Sequence, residues 1–301
     1  MTNSLQQTLK TTAQVVNQRL DQILTLEADE GELVRPPKLV AAMRHGLLNG
    51  GKRLRPFLVI QSAALFGVDQ SRSLQTACAL ECLHSYSLVH DDLPQMDDDD
   101  LRRGQPTVHK AYDEATAILA GDALLTLAFD LITDEKCHGD SGVRCELANL
   151  LARASGMDGM IGGQMLDLEA EAQSPGETGI RVMQQMKTGA LIQFACTAGA
   201  VLGQASNIDR SRLAHFGNTI GLAFQLADDL LDVTSNAETM GKAVGKDAGR
   251  GKGTLIGLLG VSEVRELLSK AVEEAVDCLS EFGAEADILR QTAHYVVERR
   301  N

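Results

Sequence analysis

In the segment 212–232, RLAHFGNTIGLAFQLADDLLD, apolar residues recur at Leu213, Phe216, Ile220, Phe224, Ala227 and Leu231, at steps of three and four. That spacing lays them along one stripe of an α-helix. Helical periodicity of this kind dominates the chain, whereas no sustained period-two alternation and no Asn-Gly hairpin between apolar runs is present. With six prolines in 301 residues, little interrupts the helices. Turn residues cluster at 28–38, 133–142, 172–179, 203–209 and 234–253. None of these resembles a long flexible linker, and no internal repeat is present. The pattern predicts one all-α domain over residues 1–301. The last loop is unusual, because Lys242, Lys246, Arg250 and Lys252 stand among five glycines.

The residues are 44% hydrophobic and 23% charged, enough to bury a large core. A net charge of −13 argues against nucleic acid or an anionic membrane as partner, since both select a basic face. The six cysteines are scattered without CxxC pairs, and Cys78 and Cys82, one helical turn apart, read as small apolar packing. The N-terminus, MTNSLQQTLKTT, lacks the basic-then-apolar pattern of a signal peptide. No uninterrupted apolar run reaches the roughly 18–20 residues of a bilayer span, and LIQFACTAGAVLG (191–203) reads as a core helix. These features predict a soluble, cytoplasmic protein with reduced thiols and no membrane span.

Two acidic clusters extend apolar helices. The first, HDDLPQMDDDDLRRG (90–104), holds six aspartates followed by Arg102 and Arg103. The second, QLADDLLD, places Asp228, Asp229 and Asp232 at i, i+1 and i+4. At 100° per residue these three and Gln225 share an arc of about 100°, apart from the apolar stripe. Like charges at that spacing destabilise a helix by a few tenths of a kcal/mol, which a divalent cation would offset. An oxygen-only ligand set suits Mg²⁺ rather than zinc, and Mg²⁺ is commonly shared with substrate phosphates. A solvated acidic face explains either cluster alone, but explains the pair poorly. A third element, NGGKRLRP (49–56), combines paired glycines, which admit close backbone approach, with the cations Lys52, Arg53 and Arg55. Lysine meets phosphate as a point charge and arginine as a fork.

GGKRLRP, LVHDDLPQMDDDDLRRG, AGDALLTLAF, GGQMLDLEAE, KTGALI and IGLAFQLADDLLDV occur in the order seen in short-chain trans-prenyltransferases. From about residue 40 to 260 the chain resembles the bacterial farnesyl diphosphate synthases of that family, with geranylgeranyl diphosphate synthases as close relatives. The resemblance implies an antiparallel helix bundle around a deep central cavity, usually a homodimer, and three Mg²⁺ ions. It implies head-to-tail condensation of isopentenyl diphosphate with dimethylallyl or geranyl diphosphate to give farnesyl diphosphate, with geranylgeranyl diphosphate as the alternative product.

Carried over residue by residue, Asp91, Asp92 and Asp97 bind Mg²⁺ on one side and Asp228, Asp229 and Asp232 on the other. The four residues between the first aspartate pairs include Pro94, so ideal helix spacing cannot place Asp97. Gly51, Lys52, Arg55, His84 and Arg103 serve isopentenyl diphosphate; Arg102, Lys187, Lys242 and Lys252 serve the allylic diphosphate. Lys187, Thr188 and Gln225 supply dipoles to the allylic cation, and Gln164 and Asp167 support them from behind. The remaining histidines, His90 among them, are left to structural or surface roles. Gly253, where the family carries a hydroxyl residue after the last substrate lysine, is a departure. For product length, spacing alone puts Ser87 directly beneath Asp91 and Tyr86 about 140° round the axis. The family rule instead makes Tyr86 the floor, and the expectation adopted is Tyr86. A class I terpene cyclase would replace the second aspartate cluster with an Asn/Ser/Glu pattern and lack GGKRLRP, and a non-catalytic partner subunit would have lost aspartates or cations.

Overall fold

Asp69, Asp113 and Asp140 each accept a hydrogen bond from a backbone N–H two or three residues on, at 2.8, 2.8 and 2.7 Å. Each thereby satisfies one of the orphan donors at a helix start. The computed structural model describes residues 2–28, 30–173, 175–239 and 254–298. Its helices are α1 (Thr2–Ile23), α2 (Pro37–Leu48), α3 (Leu54–Ala64), α4 (Gln70–Asp91), α5 (Val108–Ala111), α6 (Glu114–Thr133), α7 (Ser141–Ser155), α8 (Met160–Ala172), α9 (Gly176–Gln184), α10 (Ala190–Leu202), α11 (Asn207–Thr239), α12 (Leu255–Leu259), α13 (Val261–Cys278) and α14 (Asp287–Glu298). Among the described residues the only strands are β1 (Leu101–Arg102) and β2 (Gln105–Pro106), a two-stranded antiparallel ribbon with Arg102 opposite Gln105. The all-α expectation holds. Within the stretch expected as a loop over 234–253, α11 runs on to Thr239.

Helix α4 packs along α6, α3 lies between α4 and α10, and α11 is sandwiched by α10 and α13. Phe57, Leu80, Leu83, Leu124 and Phe216 are fully buried where these helices meet. Helix α6 is apolar almost throughout, and by length and composition alone it could cross a membrane. It carries Asp122 and Asp130 and packs against α2, α4 and α7, so here it is a core helix with one outward apolar side. Between α9 and α10 the chain widens into one π turn, Gln185–Gly189. Nothing in the periodicity of that segment announces it.

The loop between α2 and α3 runs through left-handed backbone. Gly50, Gly51 and Arg53 all have positive φ (81°, 109° and 50°). The strain at Arg53 is held by its side chain, which is fully buried. Nε donates to Asn17 Oδ1 at 2.8 Å, Nη2 to the Leu47 carbonyl at 2.6 Å, and Nη1 to Glu81 Oε1 at 2.5 Å. Arg53 therefore does not contribute charge to a ligand, contrary to the reading of all three basic side chains in NGGKRLRP. It ties α1, α2 and α4 to the start of α3. Removing one partner of a buried ion pair leaves the other charge uncompensated, at a cost of about 3–5 kcal/mol. Glu81→Ala should lower the unfolding free energy by that order in equilibrium denaturation; a loss below about 1 kcal/mol, the worth of an exposed pair, would show that the pair is not a structural tie.

Candidate active site

Helix α4 ends at Asp91, and Asp92 is its C-terminal cap. Beyond it the inserted residues fold back. The Asp97 N–H donates to the Asp91 carbonyl at 2.8 Å, and the Asp98 N–H to that of Leu93 at 3.1 Å. Helix spacing could not place Asp97; this turn lays it beside Asp91. Burial pushes the Asp91 carboxyl up to about 6. Asp97 and Asp92 push the same way, while Lys187 and Arg102 oppose them. Asp92 is buried and already paired: Arg102 Nε donates to its Oδ1 at 2.9 Å, and Nη2 reaches the same oxygen. Thus Asp92 and Arg102, expected to serve a metal and a diphosphate respectively, bind each other in this structure.

The second cluster lies on α11. Asp228 is within electrostatic reach of Arg55, and Asp229 Oδ2 accepts from Gln184 Nε2 at 3.4 Å. Asp232 follows one turn later on the same helix, with its side chain outside the described part. Among the described residues, no three His, Cys, Asp or Glu side chains converge closely enough to hold an ion unaided. A carboxyl lifted to about 6 beside further carboxylates is nevertheless what a divalent cation relieves. A sparse, all-oxygen set fits Mg²⁺, which takes few protein carboxylates and completes its shell with phosphate and water.

Facing these carboxylates is a cationic pole. Arg55 Nη1 lies 3.4 Å from His84 Nε2, and Arg55 Nε is buried without a hydrogen-bond partner among the described residues. Arg103 Nη1 donates to the Gly50 carbonyl at 2.5 Å. Its guanidinium lies so close over Gly51 that a Cβ there would come within 2.7–2.9 Å of it, so Gly51 is needed for space as well as for φ. Lys52 is exposed on the same loop. The His84 ring is held well below its usual pKa, first by burial and then by Arg55, Arg103, Arg53 and Arg102. It is neutral near pH 7 in a field of positive charge that awaits an anion.

A cavity of about 450 Å³ extends from Arg55 and Asp91 between α4, α6 and α8, with mostly apolar walls that include Tyr86, Ser87, Leu125, Met160 and Leu168. Lys187 and Thr188 of the π turn line it too. Lys187 Nζ donates to buried Asp167 Oδ2 at 2.7 Å, and α8 approaches the turn so closely that a Cβ at Gly163 would strike the Lys187 backbone. Both amide atoms of Gln164 are buried in this wall without a partner among the described residues. Gln225 lies a turn before Asp228, where α11 faces a second cavity of about 230 Å³ that it shares with His215 and with Gln184, the partner of Asp229. Sequence reasoning missed Gln184, the partner of Asp229, and nothing in QQMKTG distinguishes it from a surface glutamine. Lys242 and Lys252 lie outside the described residues.

Asp91 and Arg55 at one end of a mostly apolar cavity, with Asp228 in reach of Arg55, suit an enzyme whose substrate has an anionic head and a hydrocarbon tail. The polyprenyl synthetase family model matches residues 36–290. The chain is 44% identical over 243 residues to the farnesyl diphosphate synthase of Geobacillus stearothermophilus, covering 80% of this chain and 81% of that protein. It is 41% identical over 276 residues to the chloroplastic geranylgeranyl pyrophosphate synthase of Catharanthus roseus, covering 91% and 77%. The crystal structure of an FPP/GFPP synthase from Zymomonas mobilis superposes with a TM-score of 0.88 at 44% identity, covering 99% of this chain and all of that one. The chain belongs to the polyprenyl synthetase family and is a prenyltransferase. Relatives named for different products are almost equally similar, so overall identity does not set product length.

The raised Asp91 carboxyl has a measurable consequence without any ligand. The folded state holds this proton more tightly than the unfolded state, so ionising Asp91 costs stability as pH rises from about 4 through 6, and the cost is complete above that. Asp91→Asn should therefore melt higher than the wild type at pH 8 in metal-free buffer, with the difference closing as pH falls toward 4. Catalysis should drop by orders of magnitude in the same variant. A variant no more stable at pH 8 than the wild type would contradict the crowding of these carboxylates.

Proposed function

We propose that this enzyme condenses isopentenyl diphosphate head-to-tail with dimethylallyl and then geranyl diphosphate, and stops at farnesyl diphosphate. The observation that carries this reading is the cavity itself, which begins at Asp91 and Arg55 and meets Tyr86 on its wall. Lys52, Arg55, Arg103 and His84 hold the diphosphate of isopentenyl diphosphate. Arg102 and Lys187 turn from Asp92 and Asp167 toward the allylic diphosphate, joined by Lys242 and Lys252. Asp91, Asp92 and Asp97 on one side and Asp228, Asp229 and Asp232 on the other would hold three Mg²⁺ ions, which would supply the positive charge that a departing diphosphate needs. The Lys187 and Thr188 carbonyls and the Thr188 hydroxyl, from the π turn that lines the cavity, stabilise the allylic carbon as positive charge develops there. Gln225 would reach that carbon only from the adjoining cavity. The apolar walls exclude water from the cation. The departing diphosphate accepts the proton, so no side chain is assigned as base.

Tyr86 is the floor in this reading. It is almost fully buried, while Ser87 also faces the cavity but turns its hydroxyl back to the His84 carbonyl at 2.9 Å. With isopentenyl and geranyl diphosphates and Mg²⁺, mass analysis should find mainly the fifteen-carbon product, and exhaustive chelation should abolish it. Tyr86→Ala should shift the product to twenty carbons or more. A wild-type enzyme that already makes mainly the twenty-carbon product would replace this reading with geranylgeranyl diphosphate synthesis.

The protein works as a homodimer in the same reading. Helix α6 exposes Ile118 and Leu119 at 44% and 58%, and α8 exposes Ile161 and Met165 at 48% and 55% on the rim of the same cavity. Exposed apolar side chains of this kind suit an interface. Sedimentation should give a dimer for the wild type and a monomer for Leu119→Asp; a monomeric wild type at micromolar concentration would refute the dimer.

A further inference from the structure

Tyr86 and His90 stand four residues apart on α4 and so share one face of the helix. Their rings meet edge to face, with centroids 5.6 Å apart and planes at 88°. The His90 ring is itself pinned from the opposite side. Its Nε2 lies 3.1 Å from the Ile118 carbonyl oxygen, which can only accept, so Nε2 carries the hydrogen and donates. The Asp122 carboxylate is 3.9 Å from the same nitrogen. The imidazole is seated on the α6 backbone at Gly121, where any Cβ would overlap it. Both rings line the cavity, and no hydrogen bond to another described residue is found for the Tyr86 hydroxyl. The phenol stays neutral, its pKa pushed up to about 12 by burial and then by Asp91. What orients the Tyr86 ring is therefore packing, and the ring that packs against its edge is His90.

We infer that His90 is a positioning residue for product length: seated on Gly121 and bonded to the Ile118 carbonyl, it holds the Tyr86 ring across the cavity. The inference rests on the reading of Tyr86 as the floor. A tyrosine has two side-chain torsions, and one rotamer change about χ1 would swing its ring off the path of the growing chain. Gly121 contributes by lacking a side chain, which lets α6 approach α4 closely enough for the imidazole to fill the gap. His90 also adjoins Asp91, but a disturbed metal site would slow all condensations together, whereas a released floor changes the ratio of products.

The test is the ratio of twenty- to fifteen-carbon product, measured on the magnesium-loaded enzyme with isopentenyl and geranyl diphosphates. The variants are His90→Ala, His90→Phe, Gly121→Ala, Tyr86→Ala and the double variant Tyr86→Ala/His90→Ala. His90→Ala and Gly121→Ala should each raise the ratio about two- to tenfold, the range that loss of one edge-to-face contact supplies. His90→Phe, which keeps a ring edge against Tyr86, should return it to the wild-type value, and His90→Ala should add nothing once Tyr86 is alanine. If Tyr86→Ala lengthens the product while His90→Ala leaves the ratio unchanged, the inference is overturned and the floor stands, whatever happens to the rate. If Tyr86→Ala leaves the ratio unchanged, both are overturned. Thermal melting monitors folding; should Gly121→Ala fail to fold, the His90→Ala and His90→Phe pair decides alone.

Discussion

The buried Arg53–Glu81 pair is the interaction on which the geometry of the site depends. A guanidinium taken wholly out of water is tolerated only when its hydrogen-bonding groups are met, and here acceptors come from α1, the end of α2 and α4 at once. Three helices are thereby referred to one point, and the chain leaves that point into α3 with a left-handed residue it would otherwise resist. Lys52 and Arg55, on either side of Arg53 in sequence, inherit their positions from it. Arg103 joins the same loop through the Gly50 carbonyl. The cations that would meet a diphosphate are thus arranged around a residue that never touches one.

The two poles of the site are strained in opposite senses. At the cationic pole the His84 ring is denied its proton; at the acidic pole the Asp91 carboxyl retains its proton to about 6. Both shifts come first from burial and are then deepened by like charges. An anion at the first pole and a divalent cation at the second relieve both, and magnesium diphosphate supplies the two together. Until then the poles are partly satisfied by the protein itself, through Arg102–Asp92 and Lys187–Asp167. If these cations and carboxylates meet ligand, binding would be an exchange of partners rather than the filling of bare charges, which would soften the desolvation cost of each new contact.

Most of the architecture was legible because it rests on local periodicity. The steps of three and four in 212–232 become α11, and the aspartates fall on one helix as their spacing requires. What sequence could not show depends on depth or on non-local approach. Asp97 needed a turn that returns its N–H to the Asp91 carbonyl. Gln225 shares an angular sector with the aspartates, yet it lines a second cavity that spacing alone does not reveal. Arg53 looks like its neighbours in GGKRLRP, and only the distant Asn17 and Glu81 reveal that it is interior. The π turn at 185–189 inserts a residue without altering composition, so no period betrays it, although such turns recur at functional sites.

The rival readings of Tyr86 and Ser87 are reconciled by the direction of the cavity. A rule based on what lies directly beneath Asp91 assumes that the product runs parallel to α4. The cavity instead lies in the angle between α4, α6 and α8, so both of these neighbours, about 100° apart on α4, reach it. Its width is then set by how closely these helices approach, and the closest approaches occur at glycines: Gly121 against the His90 ring and Gly163 against the Lys187 backbone. In the reading that makes Tyr86 the floor, its size would matter because the helices already confine the space around it. The same tyrosine on a wider bundle would have room to turn aside, and the limit on chain length would pass to whichever side chain lay deeper. If Tyr86 is the floor, product length is a property of helix packing, expressed through one ring.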